Sequence, residues 1–203
     1  MEKTILFQKN ASVLTANGQQ IGSLERVVLN PESKLVTDIV VRTGPLFNKE
    51  DRVVPVEQVA ETTERQILLH AEAKEVDSFP PFEERYLVEE PEEAAKATPV
   101  THGTPGFYGP MIVEDQYVTQ IEQNIPKGTV AMKEGAKVIS AEGKYVGNVE
   151  RVLADASVDQ VTNLEISKGL FTKEWWLIPM KWVMTVGEDE VHLRVNEAAI
   201  DNE

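Results

Sequence analysis

The residues that could act as metal ligands or nucleophiles do not occur in the spacings that such sites require. The three histidines, His70, His102 and His192, each lack a second histidine at the spacing of a zinc site, and the chain has no cysteine. No serine or threonine lies in a nucleophile-elbow sequence, and no glycine run matches a phosphate-binding loop. The acidic turn at residues 187–190 lacks the ligand spacing of a calcium loop. We therefore expect a non-catalytic protein without a metal site or a cofactor.

A Glu-Arg pair occurs twice, as Glu25-Arg26 and as Glu150-Arg151. Neighbouring residues on a strand point to opposite faces, so the two side chains of one pair cannot act together in one site. We expect one residue of each pair to be solvated and the other to form a cross-strand charge pair.

All three tryptophans of the chain lie close together, at Trp175, Trp176 and Trp182. Trp175 and Trp176 are adjacent, so on a strand one of them points away from its own core. Tryptophan is enriched at the centres of protein interfaces. With Phe171 nearby, these residues form our candidate interaction surface. Its occupant could be the other half of the chain, the aromatic middle segment or a second chain, and simple internal packing is the alternative.

An internal repeat organises the sequence. Residues 11–59 align with residues 136–183 when Pro45 is left unmatched, and 17 of the 48 aligned pairs are identical. The offset is 125 residues before Pro45 and 124 after it. The positions that match the three tryptophans in the first copy are all polar: Asp51, Arg52 and Gln58.

The sequence of each copy predicts a series of short strands. Asn17-Gly18 is a hairpin signal between two apolar runs, and the apolar pattern of residues 21–29 changes parity, which predicts a β-bulge. Residues 162–166 alternate, with Thr162, Leu164 and Ile166 facing one way. So many short strands in about 70 residues need closure to bury a core. We therefore predict an all-β protein made of two tandem small β-barrels joined by an acidic, Pro-rich segment.

The expected boundaries are residues 1–78 for the first barrel, 79–126 for the middle segment and 127–203 for the second barrel. The formal net charge is −14, and the middle segment carries −7 of it. Its prolines and its charge are typical of a linker or a docking arm. Its aromatic residues predict that part of it docks on a barrel.

Both copies resemble the PRC-barrel family. The resemblance rests on the turns and strands of the first copy and on their counterparts in the second: residues 18–22, Glu25-Arg26-Val27, 36–42 and 44–55, then residues 143–147, Glu150-Arg151-Val152 and 169–179. It implies a small β-barrel that also occurs in the cytoplasmic part of the H subunit of purple-bacterial photosynthetic reaction centres and in a ribosomal-RNA maturation factor. The family's known members use the barrel to bind other macromolecules, and no family-wide catalytic residues carry over. The sequence shows neither the H subunit's membrane helix nor the maturation factor's partner domain.

We expect a cytoplasmic adaptor that binds a protein partner or self-associates. The apolar run at residues 5–7 is too short for a signal peptide, and no run is long enough to span a membrane. The negative charge disfavours direct contact with nucleic acid. A role with the ribosome or in RNA processing is the main alternative, for which the basic residues to examine are Lys127, Lys133, Lys137 and Lys144. Binding of a small ligand or of a weakly held metal ion is the second alternative.

Overall fold

The computed structural model describes residues 4–44, 49–89, 117–169 and 173–200. The strands of these residues, in chain order, are β1 (Thr4–Gln8), β2 (Ser12–Leu14), β3 (Gln20–Leu29), β4 (Val36–Thr43), β5 (Glu50–Pro55), β6 (Val59–Thr62), β7 (Gln66–Leu69), β8 (Glu83–Glu89), β9 (Tyr117–Gln123), β10 (Val130–Lys133), β11 (Lys137–Ile139), β12 (Tyr145–Asp155), β13 (Gln160–Lys168), β14 (Glu174–Pro179), β15 (Val183–Val186) and β16 (Glu190–Leu193). Two one-turn helices, α1 (Ala73–Val76) and α2 (Glu197–Ile200), follow the last strand of each repeat. The predicted all-β class is confirmed.

The repeats form two seven-stranded sheets of the same design. Six strands follow the order β5-β4-β3-β2-β7-β6 in the first sheet and β14-β13-β12-β11-β16-β15 in the second. The seventh strand is β10, which pairs with β3, in the first sheet and β1, which pairs with β12, in the second. The predicted hairpin between β2 and β3 is present, with Gly18 in the left-handed conformation (φ 79°). The predicted bulge is present too, because the register of β3 against β4 shifts between Leu24 and Arg26.

The predicted closure into barrels is wrong at the level of backbone pairing. In each sheet the two end strands are consecutive in sequence, but among the described residues no ladder joins β5 to β6 or β14 to β15. Strand β5 ends at Pro55 and strand β14 ends at Pro179, and a single 3₁₀ turn follows each proline. Proline cannot donate a ladder hydrogen bond, and the turn redirects the chain before pairing can continue.

Each repeat donates its first strand to the sheet of the other repeat. Strand β1 pairs antiparallel with β12, so that Gln8 lies opposite Arg151. Strand β10 pairs antiparallel with β3, so that Lys133 lies opposite Arg26. Strands β1 and β10 are equivalent by the 125-residue offset of the repeats, and so are their partners β12 and β3. The exchange is therefore reciprocal.

The exchange builds one shared core. Phe7 and Met132, which lie on the two exchanged strands, are 1% and 2% exposed and belong to a hydrophobic cluster that includes Leu24 of the first repeat and Val149 of the second. Met1–Phe82 and Asn124–Glu203 accordingly form a single compact unit.

The second compact unit is Glu83–Gln123, within the predicted middle segment. Its described part is a two-stranded antiparallel sheet of β8 and β9, which the acidic composition did not predict. Residues 90–116, which complete the predicted segment, lie outside the described residues. Neither helix in the described part of the chain could cross a membrane.

Candidate interaction surface

Strand β14 positions the two adjacent tryptophans. It pairs antiparallel with β13, which places Trp175 opposite Ser167 and Trp176 opposite Ile166. Trp176 is partly buried and packs against the shared core, whereas Trp175 is 50% exposed. The alternation expected for neighbours on a strand is therefore confirmed, and Trp175 is the one that points outward.

Trp175 has an apolar neighbour that the sequence reasoning missed. Leu177 is two residues further along β14, on the same face, and it is 51% exposed. The signal was available, because strand periodicity puts residues 175 and 177 side by side. Together, Trp175 and Leu177 form what we call the outer patch of the second sheet.

The other predicted surface residues are not part of the outer patch. Trp182 lies in the 3₁₀ turn after β14, is partly buried and packs against the core. It still lines a groove of about 360 Å³ together with Trp175, Trp176 and Ile200, among others. Phe171 lies outside the described residues.

A lysine borders the outer patch. The Lys173 ammonium lies 5.3 Å from the centre of the Trp175 ring and 3.0 Å from Oε1 of Glu150. Burial opposes ionisation of Glu150, but hydrogen bonds from the Ser167 hydroxyl and from Lys173 outweigh it and hold the pKa of this carboxyl below its ordinary value. The outer patch is therefore bordered by the Lys173–Glu150 ion pair.

The repeated arginines make ion pairs between the repeats. Nη1 of Arg26 lies 3.1 Å from Oε2 of Glu188, and Nη2 of Arg151 lies 3.8 Å from Oε1 of Glu64. Glu64 and Glu188 are also equivalent positions, so the two ion pairs follow the same symmetry as the exchanged strands. Arg26 is only 8% exposed, so its pair is the more buried of the two.

The repeated glutamates have separate partners from the arginines beside them. Oε1 of Glu25 lies 2.9 Å from Nη2 of Arg42, whereas Glu150 is bound by Lys173 and Ser167. This agrees with the expectation that the two residues of one Glu-Arg pair do not share a site. The expectation that one residue of each pair is solvated is wrong, because all four side chains are ion-paired and none is more than 25% exposed. Their roles are structural contacts within the fold.

The acidic turn at residues 187–190 is occupied by cations of the protein itself. Glu188 pairs with Arg26, and Oδ1 of Asp189 accepts a hydrogen bond of 2.6 Å from Nζ of Lys133. Within the four described ranges, no group of three or more histidine, aspartate or glutamate side chains is arranged to hold a metal ion. His192 lies 3.5 Å from a carboxylate oxygen of Glu190, and His102 is outside the described residues.

One buried carboxyl near the exchanged strands was not singled out from the sequence. Oε2 of Glu134 accepts a hydrogen bond of 2.6 Å from the Asn10 amide, while its Oε1 is buried without a partner in the described structure. Burial raises the pKa of Glu134 to about 8, and the nearby Glu25 carboxylate adds to the rise. We therefore expect the stability of the protein to depend on the ionisation of Glu134.

The comparisons with known proteins agree with this architecture. The family model of the PRC-barrel domain matches residues 9–76 and residues 134–200. No curated protein matches the chain. The two matched regions are the two repeats, they cover most of the chain, and the resemblance seen in the sequence is confirmed. This chain belongs to the PRC-barrel domain family.

Proposed function

We propose that this protein is a non-catalytic module that binds another protein through the second repeat. The observation that carries the proposal is the outer patch, where Trp175 and Leu177 are both half exposed. At the equivalent positions the first repeat has Asp51 and Val53, and Val53 is 3% exposed. A large aromatic side chain that is left in water on one repeat only is typical of the centre of an interface.

The distribution of charge supports a protein partner over RNA. The basic residues named for the RNA alternative are Lys127, Lys133, Lys137 and Lys144. Of these, Lys133 is paired with Asp189, and Lys144 lies 3.3 Å from Glu142. Paired lysines contribute less to a polyanion-binding surface, because their charge is already compensated.

The test compares one tryptophan variant with one valine variant in the full chain. Trp175→Ser should keep the far-UV circular dichroism and the melting temperature close to those of the wild type, and it should abolish capture of the partner from the native cell. Val158→Ser, at a position that is 54% exposed, is the matched control and should bind normally. Light scattering separates a second copy of this chain from a different protein.

The capture experiment also separates the alternatives. Elution in steps of rising salt, with and without nuclease, distinguishes ribosomal material from a directly bound protein. Capture that is nuclease-sensitive and independent of Trp175, or capture that is unchanged in the folded Trp175→Ser variant, would contradict the proposal.

A further inference from the structure

The two sheets differ in what lies along the edge of their equivalent strands. In the first sheet, the Val53 amide donates to the Pro80 carbonyl at 2.9 Å, and the Phe82 amide donates to the Asp51 carbonyl at 2.7 Å. Residues 80–82 thereby cover the edge of β5 in an antiparallel arrangement, with Pro81 opposite Arg52. No described residue covers the equivalent edge of β14 in this way.

The covering segment also shields an apolar face. Phe82 is 2% exposed and packs in a cluster with Val28, Val40 and Val53. Its ring centre lies 4.8 Å from the guanidinium of Arg26. The first sheet therefore binds an extended Pro-Pro-Phe segment through two backbone hydrogen bonds and one aromatic anchor.

The second sheet has the equivalent edge without such a segment among the described residues. Its face differs at one position: the counterpart of Val40 is Glu165, whose Oε2 lies 3.4 Å from Nη1 of Arg151. The counterparts of Arg26 and Val53 are Arg151 and Leu177, and Leu177 is 51% exposed where Val53 is 3% exposed. The counterpart of Val28 is Leu153, which is only partly buried.

The backbone of β14 is oriented for the same pairing. Strand β14 keeps the register of β5, because Trp175 lies opposite Ser167 as Asp51 lies opposite Arg42. By this equivalence the Trp175 carbonyl and the Leu177 amide point away from β13, as the Asp51 carbonyl and the Val53 amide point away from β4. Trp175 and Leu177 both line the groove of about 360 Å³.

We propose that a partner protein adds an extended Pro-X-aromatic segment antiparallel to the edge of β14. Its aromatic side chain packs on Leu177 and Arg151, and its two backbone groups pair with the Trp175 carbonyl and the Leu177 amide. Only the carbonyl of the first residue and the amide of the third are used, so prolines at the first and second positions cost no hydrogen bond. Proline also holds the free segment extended, which lowers the entropy lost on binding. This inference rests on the proposed function and specifies its mode of binding.

The probe is a free peptide of residues 78–84, which contains the covering segment, residues 80–82. We expect saturable binding to the full-length protein with a Kd on the order of 10–1000 μM. Calorimetry measures the binding, and tryptophan emission should shift to the blue as the peptide displaces water from Trp175. A peptide with an N-methylated residue 82 cannot donate to the Trp175 carbonyl and should bind at least about tenfold more weakly. A peptide with alanine in place of Phe82 should also bind more weakly, because it lacks the anchor.

The protein variants locate the bound peptide. Leu177→Asp should abolish binding, whereas Val158→Asp, an equally exposed position, should leave Kd unchanged; circular dichroism checks the fold of both. Absence of binding up to about 2 mM, or equal binding of the N-methylated peptide or of the Leu177→Asp variant, would overturn the inference.

Other occupants give distinct results. A dimer that Leu177→Asp dissociates would assign the edge to a second copy, and peptide binding that appears only after Phe107→Ala would assign it to the chain's own Pro105-Gly106-Phe107. Either result would overturn a partner protein as the occupant. Trp175-dependent capture of a partner without peptide binding would overturn this inference and leave the proposed function in place.

Discussion

Leu35 and Gln160 face each other in an antiparallel bridge, and they are the same position of the two repeats. The flanking backbone hydrogen bonds are equivalent as well: Val36 N–H to the Asp159 carbonyl at 2.8 Å, and Val161 N–H to the Lys34 carbonyl at 2.9 Å. A residue can lie opposite its own equivalent only near a twofold axis. The two repeats are therefore related by a pseudo-twofold axis that passes between Leu35 and Gln160, and the exchange of β1 and β10 follows from the same symmetry.

A disulfide across the axis tests this relationship. The bridge has the pattern of a non-hydrogen-bonded antiparallel pair, in which Cα atoms lie about 4.5 Å apart, within disulfide range. The chain has no other cysteine to compete. We expect the double variant Leu35→Cys and Gln160→Cys to form an intramolecular disulfide on mild oxidation and to melt at a higher temperature than its reduced form. Leu35→Cys alone is the control, and a double variant that stays reduced would contradict the axis.

The exchanged strands predict that both sheets unfold together. Phe7 belongs to the first repeat but packs in the second sheet, and Met132 does the reverse. We expect Phe7→Ala and Met132→Ala each to lower the free energy of unfolding by about 2–5 kcal/mol. All three tryptophans lie in the second repeat, so tryptophan fluorescence and far-UV circular dichroism should give the same midpoint in each variant. Two separate transitions would show that the repeats are independent.

The two equivalent arginines should differ in their effect on stability. The side chain of Arg26 is 10% exposed and lies 4.8 Å from the centre of the Phe82 ring, whereas that of Arg151 is 22% exposed and pairs with Glu64 and Glu165. Truncation of the more deeply buried side chain loses more packing, so Arg26→Ala should cost about 2–4 kcal/mol and Arg151→Ala about 1 kcal/mol or less. Urea denaturation measures both. The interpretation fails if the two variants are destabilised equally.

Glu134 should make stability fall as the pH rises. Its folded-state pKa of about 8 lies above the ordinary value of 4.5, so the stability that it contributes is complete below pH 4.5 and is lost as the pH rises through 8. Glu134→Gln keeps the acceptor for the Asn10 amide and removes the charge. We expect the variant to match the wild type near pH 5 and to be more stable by about 1–3 kcal/mol near pH 9, measured by thermal melts across this range. A difference in stability between the variant and the wild type that does not change with pH would contradict the raised pKa of Glu134.

Gly22 should tolerate a side chain less well than Gly18. A Cβ at Gly22 would collide with the backbone carbonyl of Arg42 on the neighbouring strand, whereas a Cβ at Gly18 would meet nothing within 4 Å. Gly18→Ala should cost about 1 kcal/mol, the price of its left-handed backbone, and Gly22→Ala should cost more because two strands must separate. Chemical denaturation of the two variants measures both losses of stability. A larger loss for Gly18→Ala than for Gly22→Ala would contradict the close contact between Gly22 and the Arg42 carbonyl.

The sequence by itself determined the local elements. Asn17-Gly18 predicts its hairpin, because only a few residues adopt the left-handed turn without strain. The parity change between Leu24 and Val27 predicts the bulge, because strand periodicity is strict. The sequence predicts Thr162 on the face of Leu164 and Ile166, which is wrong. Thr162 is exposed because it is the extra residue of a bulge between the pairs Leu153–Asn163 and Ala154–Val161.

Only the tertiary structure decided which sheet each strand joins. Ile5-Leu6-Phe7 and Val130-Ala131-Met132 stand at the same offset, a signal that is present in the sequence, but an apolar triplet is compatible with pairing in either repeat. The pairing depends on the burial of Phe7 and Met132 in a core that neither repeat completes alone. The same reason applies to the edge of β14. Its residues predict a strand, but whether that edge is covered depends on segments that are remote in sequence, and their placement is decided by packing of the whole molecule.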